Sequence, residues 1–582
     1  MHVRSSPISA SPALLGVAVL LGGCGGEGDA PVAGPLPAIE SEPWFADEAS
    51  DRGITFTWSS GHNRRDFYLP EITAGGGALF DMDDDGDLDA YLVQAGSLHA
   101  APADRAGNRL YRNRGDGTFE DVTDGSGADD RGYGAGAACG DYDNDGDVDI
   151  YVLNVGANAL LRNDGDGRFT DVTIPSGTGD DRWSSSAAFV DYDADGDLDL
   201  YVANYVSWSA ASEVDCYNAL GAPDYCAPTV YHAPTLDVLY RNEGDGTFVD
   251  VTEPAGIIAA AGTGLGVACG DFTGDGAIDI FVANDAMPDR LWANRKNGTF
   301  RDVAFEMSCA IDTDGKAKAG MGVATADYDA DGDLDLLVCN LRRESDSFYR
   351  NDGAFFTDVT RLAGLAHTSR QYTRFGMGLH DFDNDGNLDL YQVNGRVTTE
   401  ADHPRPDDRF AEANLLYRGN ADGVFERLAP AGGTAAPAIE TSRGAAFGDV
   451  DNDGRIDVLI VNRDAPAALL RNVVPNAGHW IMFRVRETSG RDAHHAIVSL
   501  RSGDRVLRRS VQPDYSVFVS NDPRVHFGLG ATESVTDVEV EWPDGERERF
   551  GTFPADRVVE LRRGAGSGSE SASQRTATRT PS

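Results

Sequence analysis

Short apolar runs punctuate the chain, and each is entered from the same kind of polar stretch. Asp-Ala-Tyr-Leu-Val (89–93), Asp-Ile-Tyr-Val-Leu (149–153), Asp-Leu-Tyr-Val-Ala (199–203) and Asp-Ile-Phe-Val-Ala (279–283) have the Tyr, Val, Ile and Leu content of strands. The preceding stretch is clearest at 381–389, Asp-Phe-Asp-Asn-Asp-Gly-Asn-Leu-Asp, with carboxylates at positions 1, 3, 5 and 9 and glycine at 6. The pattern starts again at Asp81, Asp141, Asp191, Asp271, Asp327 and Asp449, giving seven copies with starts 60, 50, 80, 56, 54 and 68 residues apart. A second phrase alternates with it. Leu-Tyr-Arg-Asn-Arg-Gly-Asp-Gly-Thr-Phe-Glu-Asp-Val-Thr at 110–123 returns at 160–173, 239–252 and 291–304, and in worn form at 348–360 and 416–429. Asn-x-Gly-Asp-Gly between two strand-like runs is hairpin chemistry. Each unit therefore reads as inner strand, Asp loop, second strand, hairpin and outer strand, at a period that fits propeller blades.

The two ends of the repeat region complement each other. The seventh unit runs through 468–472 but supplies no Phe-x-Asp-Val-Thr, whereas Trp44-Phe45-Ala-Asp47-Glu-Ala49 lies ahead of the first Asp loop. The expectation is an all-β, seven-bladed propeller over 44–477, closed by its N-terminal segment so that no sheet edge is left bare; the alternative is an open solenoid. Beyond it, 480–485, 496–500, 505–511, 516–519, 535–542 and 557–561 are strand-like, predicting a small β-sandwich or barrel over 478–563. The Gly, Ser, Thr and Arg tail from 564 reads as disordered.

Four carboxylates converging in one loop repel each other unless a hard cation neutralises them, and calcium accepts six to eight oxygens. An EF-hand is excluded, because position 12 is Leu92 in the first copy and Gln392 in the sixth, and strands rather than helices follow. About seven Ca²⁺ are expected, with positions 1, 3, 5 and 9 giving carboxylates and position 7 a backbone carbonyl. The first three sets are Asp81, Asp83, Asp85, Asp87 and Asp89; Asp141, Asp143, Asp145, Asp147 and Asp149; and Asp191, Asp193, Asp195, Asp197 and Asp199. The fourth, Asp271, Thr273, Asp275, Ala277 and Asp279, lacks the third-position carboxylate and predicts a weaker site. The last three are Asp327, Asp329, Asp331, Asp333 and Asp335; Asp381, Asp383, Asp385, Asn387 and Asp389; and Asp449, Asp451, Asp453, Arg455 and Asp457. The formal charge of −46, with no basic stripe, argues against nucleic acid as a partner.

An apolar run at 13–21 behind Arg4, followed by Leu21-Gly22-Gly23-Cys24, reads as a signal segment. Leu-Gly-Gly-Cys resembles a bacterial lipobox, which implies a lipidated Cys24 and an exported lipoprotein of the outer membrane or cell surface; a periplasmic or secreted protein with an ordinary cleaved signal is the alternative. Any membrane contact is through that anchor. Residues 25–43 read as a linker. Cys216 and Cys226 flank a short insertion, and a disulfide between them is expected in an exported protein. Cys139 and Cys269 occupy one repeat position that wants a small buried side chain, and Cys309 and Cys339 read as buried thiols; no zinc-type spacing occurs.

The residues just upstream of each inner strand should gather at the channel mouth opposite the Asp loops. Arg131 with Tyr133, Arg182 with Trp183, Lys318, Arg374 and Arg443 are the candidates there for binding an anionic or sugar ligand. Arg114-Gly115-Asp116 is a variant of the repeated hairpin, and the glycine pairs 320/322 and 376/378 read as tight inner-strand packing. No catalytic motif survives inspection: there is no His-Glu-x-x-His and no Gly-x-Ser-x-Gly elbow.

With these motifs assembled, 44–472 resembles the FG-GAP/VCBS-type calcium propeller shared with integrin α subunits. Gly-His-Trp (478–480), Gly-Arg-Asp-Ala (490–493), Val-His-Phe-Gly-Leu-Gly (525–530) and Val-Glu-Trp-Pro-Asp-Gly (540–545) resemble the ASPIC/UnbV domain. Together they resemble bacterial relatives of cartilage acidic protein, departing from the pattern at His495, where the family usually shows glycine. The resemblance implies a non-enzymatic, calcium-stabilised binding or adhesion protein with a glycan or protein ligand. A calcium-dependent polysaccharide lyase is the alternative.

Overall fold

The computed structural model describes residues 38–567, so Cys24 and the segment around it lie outside the described residues. The repeat region is a seven-bladed propeller. Its innermost strands are Gly77–Phe80, Gly134–Gly140, Ser184–Val190, Gly264–Gly270, Val323–Ala326, Arg374–His380 and Ser442–Gly448. Each touches the next and the last touches the first, which closes the ring. In the second blade Gly134–Gly140, Asp149–Asn154, Ala159–Asn163 and Phe169–Asp171 form one antiparallel meander, with Gly140 opposite Asp149 across the Asp loop. The short strands carry aromatic and β-branched residues on both faces, because each blade is covered by its neighbours.

The seventh blade takes its outer strand, Phe45–Asp47, from the N-terminal side of the ring, pairing Phe45 with Asn472 and Asp47 with Leu470. The segment before it is also engaged. Ile39–Glu40 adds a parallel fifth strand to the sixth blade at Leu428 and Ala429, so the stretch expected to be linker reaches into the ring. The insertion after the third blade's second strand is closed by the Cys216–Cys226 disulfide, Cα atoms 5.3 Å apart. Cys139, Cys269, Cys309 and Cys339 are buried free thiols.

The C-terminal domain is a sandwich of two sheets. Three strands, His479–Arg486, Val525–Gly530 and Val558–Arg562, face four, Ile497–Ser502, Arg505–Ser510, Ser534–Glu541 and Arg547–Pro554. Both sheets feed one core, including Phe483, Phe527, Leu500, Val540 and Trp542. Two of these strands, Val525–Gly530 and Arg547–Pro554, are not apparent as strands from composition: one is broken by glycine and the other alternates charge. His495 has a φ of +66°, the left-handed conformation that glycine takes cheaply. Gly564–Ser567, expected to be disordered, hydrogen-bonds to Glu548 and Arg549; the tail beyond 567 lies outside the described residues.

Residues 516–519, expected as a sandwich strand, do something else. The stretch 512–524 leaves the sandwich and fills the axis of the propeller, with Ser516 and Phe518 at φ of +77° and +66°. Val519–Ser520 pairs in parallel with Gly77 and Ala78 of the first blade. The Phe518 carbonyl accepts from Ala137 N–H of the second, and its own N–H donates to Ser186 Oγ of the third. Asp514 Oδ2 accepts from Cys269 N–H of the fourth, and Ser516 exchanges two bonds with Val323 of the fifth, at 2.6 and 3.1 Å. Ser516 Oγ accepts from Met377 N–H of the sixth, and Asn521 Oδ1 from Phe447 N–H of the seventh. The inner edges of all seven sheets thus find partners on one segment. The inner-strand glycines make room for it: a Cβ on Gly136 would lie 2.4 Å from the Phe518 carbonyl, and one on Gly444 2.9 Å from Val519. Gly322 instead abuts the next inner strand, where a Cβ would meet the Phe375 carbonyl at 2.1 Å.

Candidate functional site

The seven Asp loops lie on one face of the ring and share one conformation. Position 4 is left-handed in every copy, as at Asp84, Asn144 and Asn384, and the glycine at position 6 has φ between +81° and +101°. The first carboxylate builds the turn: Asp141 Oδ1 accepts from Asp145 N–H at 3.2 Å, and its Oδ2 from Gly146 N–H at 2.9 Å. The ninth clamps the loop to the blade. Asp149 accepts from Tyr142 N–H at 3.1 Å and from Asn163 N–H of the third strand at 2.8 Å, with equivalents at Asp89, Asp199, Asp279, Asp335, Asp389 and Asp457.

The third-strand asparagine then ties neighbouring blades. Asn163 Nδ2 donates to the Met82 carbonyl in the first blade's loop at 2.8 Å; Asn113, Asn242, Asn294, Asn351 and Asn472 do the same to the loop before theirs. The belt lapses at the sixth blade, where Gly419 holds this position and a Cβ would meet the Leu388 carbonyl at 1.9 Å.

Ligand atoms of Asp81, Asp83 and Asp85, of Asp141, Asp143 and Asp149, and of Asp191, Asp193 and Asp199 lie within 4.8 Å of one another, as do those of Asp327, Asp329 and Asp335 and of Asp381, Asp383 and Asp385. Asp83, Asp143 and Asp451 each keep a buried Oδ1 without a hydrogen-bond partner among the described residues, as does Asp327. Burial, reinforced by the neighbouring carboxylates, pushes Asp89 and Asp335 up to about 8 and Asp199 to about 9. Asp149, Asp381, Asp389 and Asp457 are raised well above the carboxylate range for the same reasons. Crowded, desolvated carboxylates with orphaned oxygens and no soft donors fit a hard divalent cation, which supplies the missing partner and removes the repulsion.

The fourth loop differs as a unit. In the first, sixth and seventh blades an arginine on the third strand leans on the third-position carboxylate: Arg112 on Asp83 at 3.1 Å, Arg418 on Asp383 at 2.8 Å and Arg471 on Asp451 at 3.2 Å. Where the carboxylate is replaced by Thr273 the arginine is replaced by Ala293, and Lys296 Nζ sits 3.7 Å from Asp275 instead.

The opposite face holds a cavity of about 190 Å³ at the channel mouth. Leu265 and Phe375 of the inner strands and Met321 just ahead of one line its base, and Val517 and Phe518 pack in the same cluster. Its walls come largely from connections between second and third strands, with Tyr205, Asp285, Arg342, Arg343, Arg396 and Glu400, joined by Leu69, Thr73 and Thr373 from just ahead of inner strands. The Tyr205 hydroxyl donates to Asp285 Oδ2 at 2.5 Å, whereas Asp285 Oδ1 has no partner among the described residues. Burial raises Asp285 to about 6. Arg342 reaches Glu400 at 3.5 Å, and the Arg343 side chain is 80 % exposed beside the same carboxylate.

None of the seven residues expected to bind ligand lines this cavity. Arg374 is fully buried against Asp346 at 2.7 Å, and Arg443 donates to the Ile72, Gly395 and Arg396 carbonyls over the ring of Phe375. Tyr133 donates to the Ser60 carbonyl, and Trp183 is buried edge-on to Tyr205. Arg131 pairs with Asp129, Arg182 with Asp180, and Lys318 binds Ser345 and Ser347. The cavity lies on the face named for a ligand, and its lining comes largely from other loops than those named. Residues entering an inner strand turn into the seams between blades, where carbonyls need donors, while the longer second-to-third connections overhang the mouth.

Family models match on both parts of the chain. An FG-GAP-like repeat model covers 81–152, 141–202, 221–282, 271–338, 327–392 and 407–460, and the ASPIC and UnbV model covers 486–568. The chain belongs to the FG-GAP-like repeat family. It is 26 % identical to cartilage acidic protein 1 of Xenopus tropicalis over 354 residues, and 27 % identical to the human protein over the same length. Each alignment covers 58 % of this chain and 40 % of the relative, so the chain matches about two fifths of those proteins' length. This FG-GAP repeat protein is thus a relative of cartilage acidic protein 1. Similar solved structures include a lectin of Agrocybe aegerita, at 16 % identity over 68 % of this chain and 86 % of that one with a TM-score of 0.35. YCF48 bound to D1 peptide is 10 % identical over 76 % and 98 %, with a TM-score of 0.39.

Proposed function

We propose that this chain is a calcium-stabilised binding protein, exported and held at the cell surface through a lipidated Cys24, that takes a glycan or protein ligand at the channel mouth opposite the Asp loops. Calcium is the cation of choice because the donors are all oxygens, several of them carboxylates gathered in one loop, which suit a hard divalent cation of high coordination number. The observation that carries the ligand reading is the mouth cavity itself. Its walls come largely from connections that differ from blade to blade, and an orphaned Asp285 oxygen and the exposed Arg343 both line it.

The test is a glycan array and a surface-protein overlay with calcium-loaded protein, repeated with Asp285→Asn and Arg343→Ala. Loss of binding with unchanged melting supports the mouth; full binding by both variants places the ligand elsewhere. Metal analysis should return about seven calcium ions per chain, and Cys24→Ser should release the protein from membranes.

A further inference from the structure

The Asp-loop face is covered at its centre by the C-terminal sandwich, and the contacts follow the repeat. The carbonyl of the position-6 glycine recurs as the acceptor. Arg508 Nη1 donates to the Gly332 carbonyl at 2.8 Å, Arg505 Nη2 to Gly386 at 2.5 Å and Arg524 Nη1 to Gly86 at 3.5 Å, and His526 Nε2 lies 3.1 Å from the Gly454 carbonyl. Arg524 Nη2 also takes the Asp449 carbonyl at 2.7 Å, and Arg484 Nη1 lies 2.5 Å from Asp81 Oδ2. In the first, sixth and seventh loops the same glycine's N–H is held by the first aspartate: Gly86 by Asp81, Gly386 by Asp381 and Gly454 by Asp449. The sandwich therefore reads a carbonyl whose direction is set by the loop conformation that a bound cation favours.

The same domain supplies the axial segment, which bonds to the inner strand of every blade. Loop conformation, sandwich docking and the filled axis are joined through Arg524 at the end of the segment and through Arg505–Ser510 and His526, which flank 512–524 in the chain. We propose that 512–524 is a calcium-locked pin: occupancy of the Asp loops and seating of this segment form one linked equilibrium, and removing the cation undocks the sandwich and frees the axis. This rests on the Asp loops being calcium sites. It adds that their occupancy is transmitted to a domain containing none of those loops. Linkage is reciprocal, so weakening the dock must weaken calcium binding.

Hydrogen exchange on the full chain in millimolar calcium and in chelator tests it. Peptides over 512–524 should lose protection by about tenfold or more on chelation, with the same calcium midpoint as peptides over 327–335 and 381–389. Loops that respond while 512–524 does not, or that respond at a different midpoint, overturn the pin and leave the calcium reading standing. If neither responds, the calcium reading falls and the pin with it. Arg505→Ala with Arg508→Ala should move the midpoint to higher calcium, and an unchanged or lower midpoint overturns the linkage. Should that variant fail to fold, the unsubstituted chain's exchange midpoints still decide.

Discussion

The two faces of the propeller are built on opposite principles. On the Asp-loop face seven copies of one nine-residue turn repeat the same dihedral pattern, the same aspartate clamps and, six times in seven, the same asparagine tie to the blade before. On the mouth face few connections agree: one is a disulfide-closed insertion, another carries Arg342 and Arg343, and a third runs from Arg396 to Glu400. Repetition on one side fixes the ring, and that fixed ring allows variety on the other. Changes to the loop face should therefore appear as stability, and changes at the mouth as recognition.

The largest test of that division is chelation. A single site filled at a hundred times its dissociation constant adds about 2.7 kcal/mol, so emptying several loops removes as much as an ordinary domain's whole stability. Calorimetry should show a large fall in Tm; an unmoved transition would break the contrast between the faces. Next is Phe518→Ala, in the axis and outside every blade, expected to cost about 3–5 kcal/mol by chemical denaturation. Phe355→Ala on the exposed rim should stay within about 0.5 kcal/mol. Equal effects would mean that the axial segment bears no load. Restoring the fourth loop with Thr273→Asp and Ala293→Arg should tighten its calcium affinity by about tenfold, read in a calcium titration.

A change read against pH rather than in affinity belongs to Asp289, on the mouth side. Its Oδ1 accepts from Asn284 N–H at 2.8 Å, a bond that Asn158 and Asn414 make in other blades. Burial raises Asp289 from 3.8 to about 8, so the folded state holds the proton more tightly than the unfolded chain. Its favourable contribution is complete below the unfolded value and is lost as pH rises toward 8. Asp289→Asn should flatten that part of the stability–pH curve without unfolding the blade; a steeper curve would show that the charge is needed.

What could be read from sequence followed repetition. The Asp loops, the hairpins, the blade count and the contribution of Phe45–Asp47 were legible because each recurs or completes a pattern. The axial segment was not, because Ser516 to Ser520 resembles an ordinary strand and its partners come from seven sites spread over the chain. The inner-strand glycines were a trace of it: Gly136 records the approach of a backbone from outside the repeat. The candidates expected at the mouth do not line it because partners within the ring claim them. Arg374 and Arg443 lie one register position apart, since it is Ser442 that stands like Arg374 opposite a second-strand asparagine, and both guanidinium groups are buried against groups of the ring.

The shared seventh blade also sets a schedule. Phe45 and Asn472 are 427 positions apart, and a ribosome adding about 5–20 residues per second takes on the order of a minute to make both. Throughout that interval the early strand is a loose end without a home, and the circle cannot shut. Whatever escorts the nascent polypeptide must keep Trp44 and Phe45 from straying until synthesis has caught up with them.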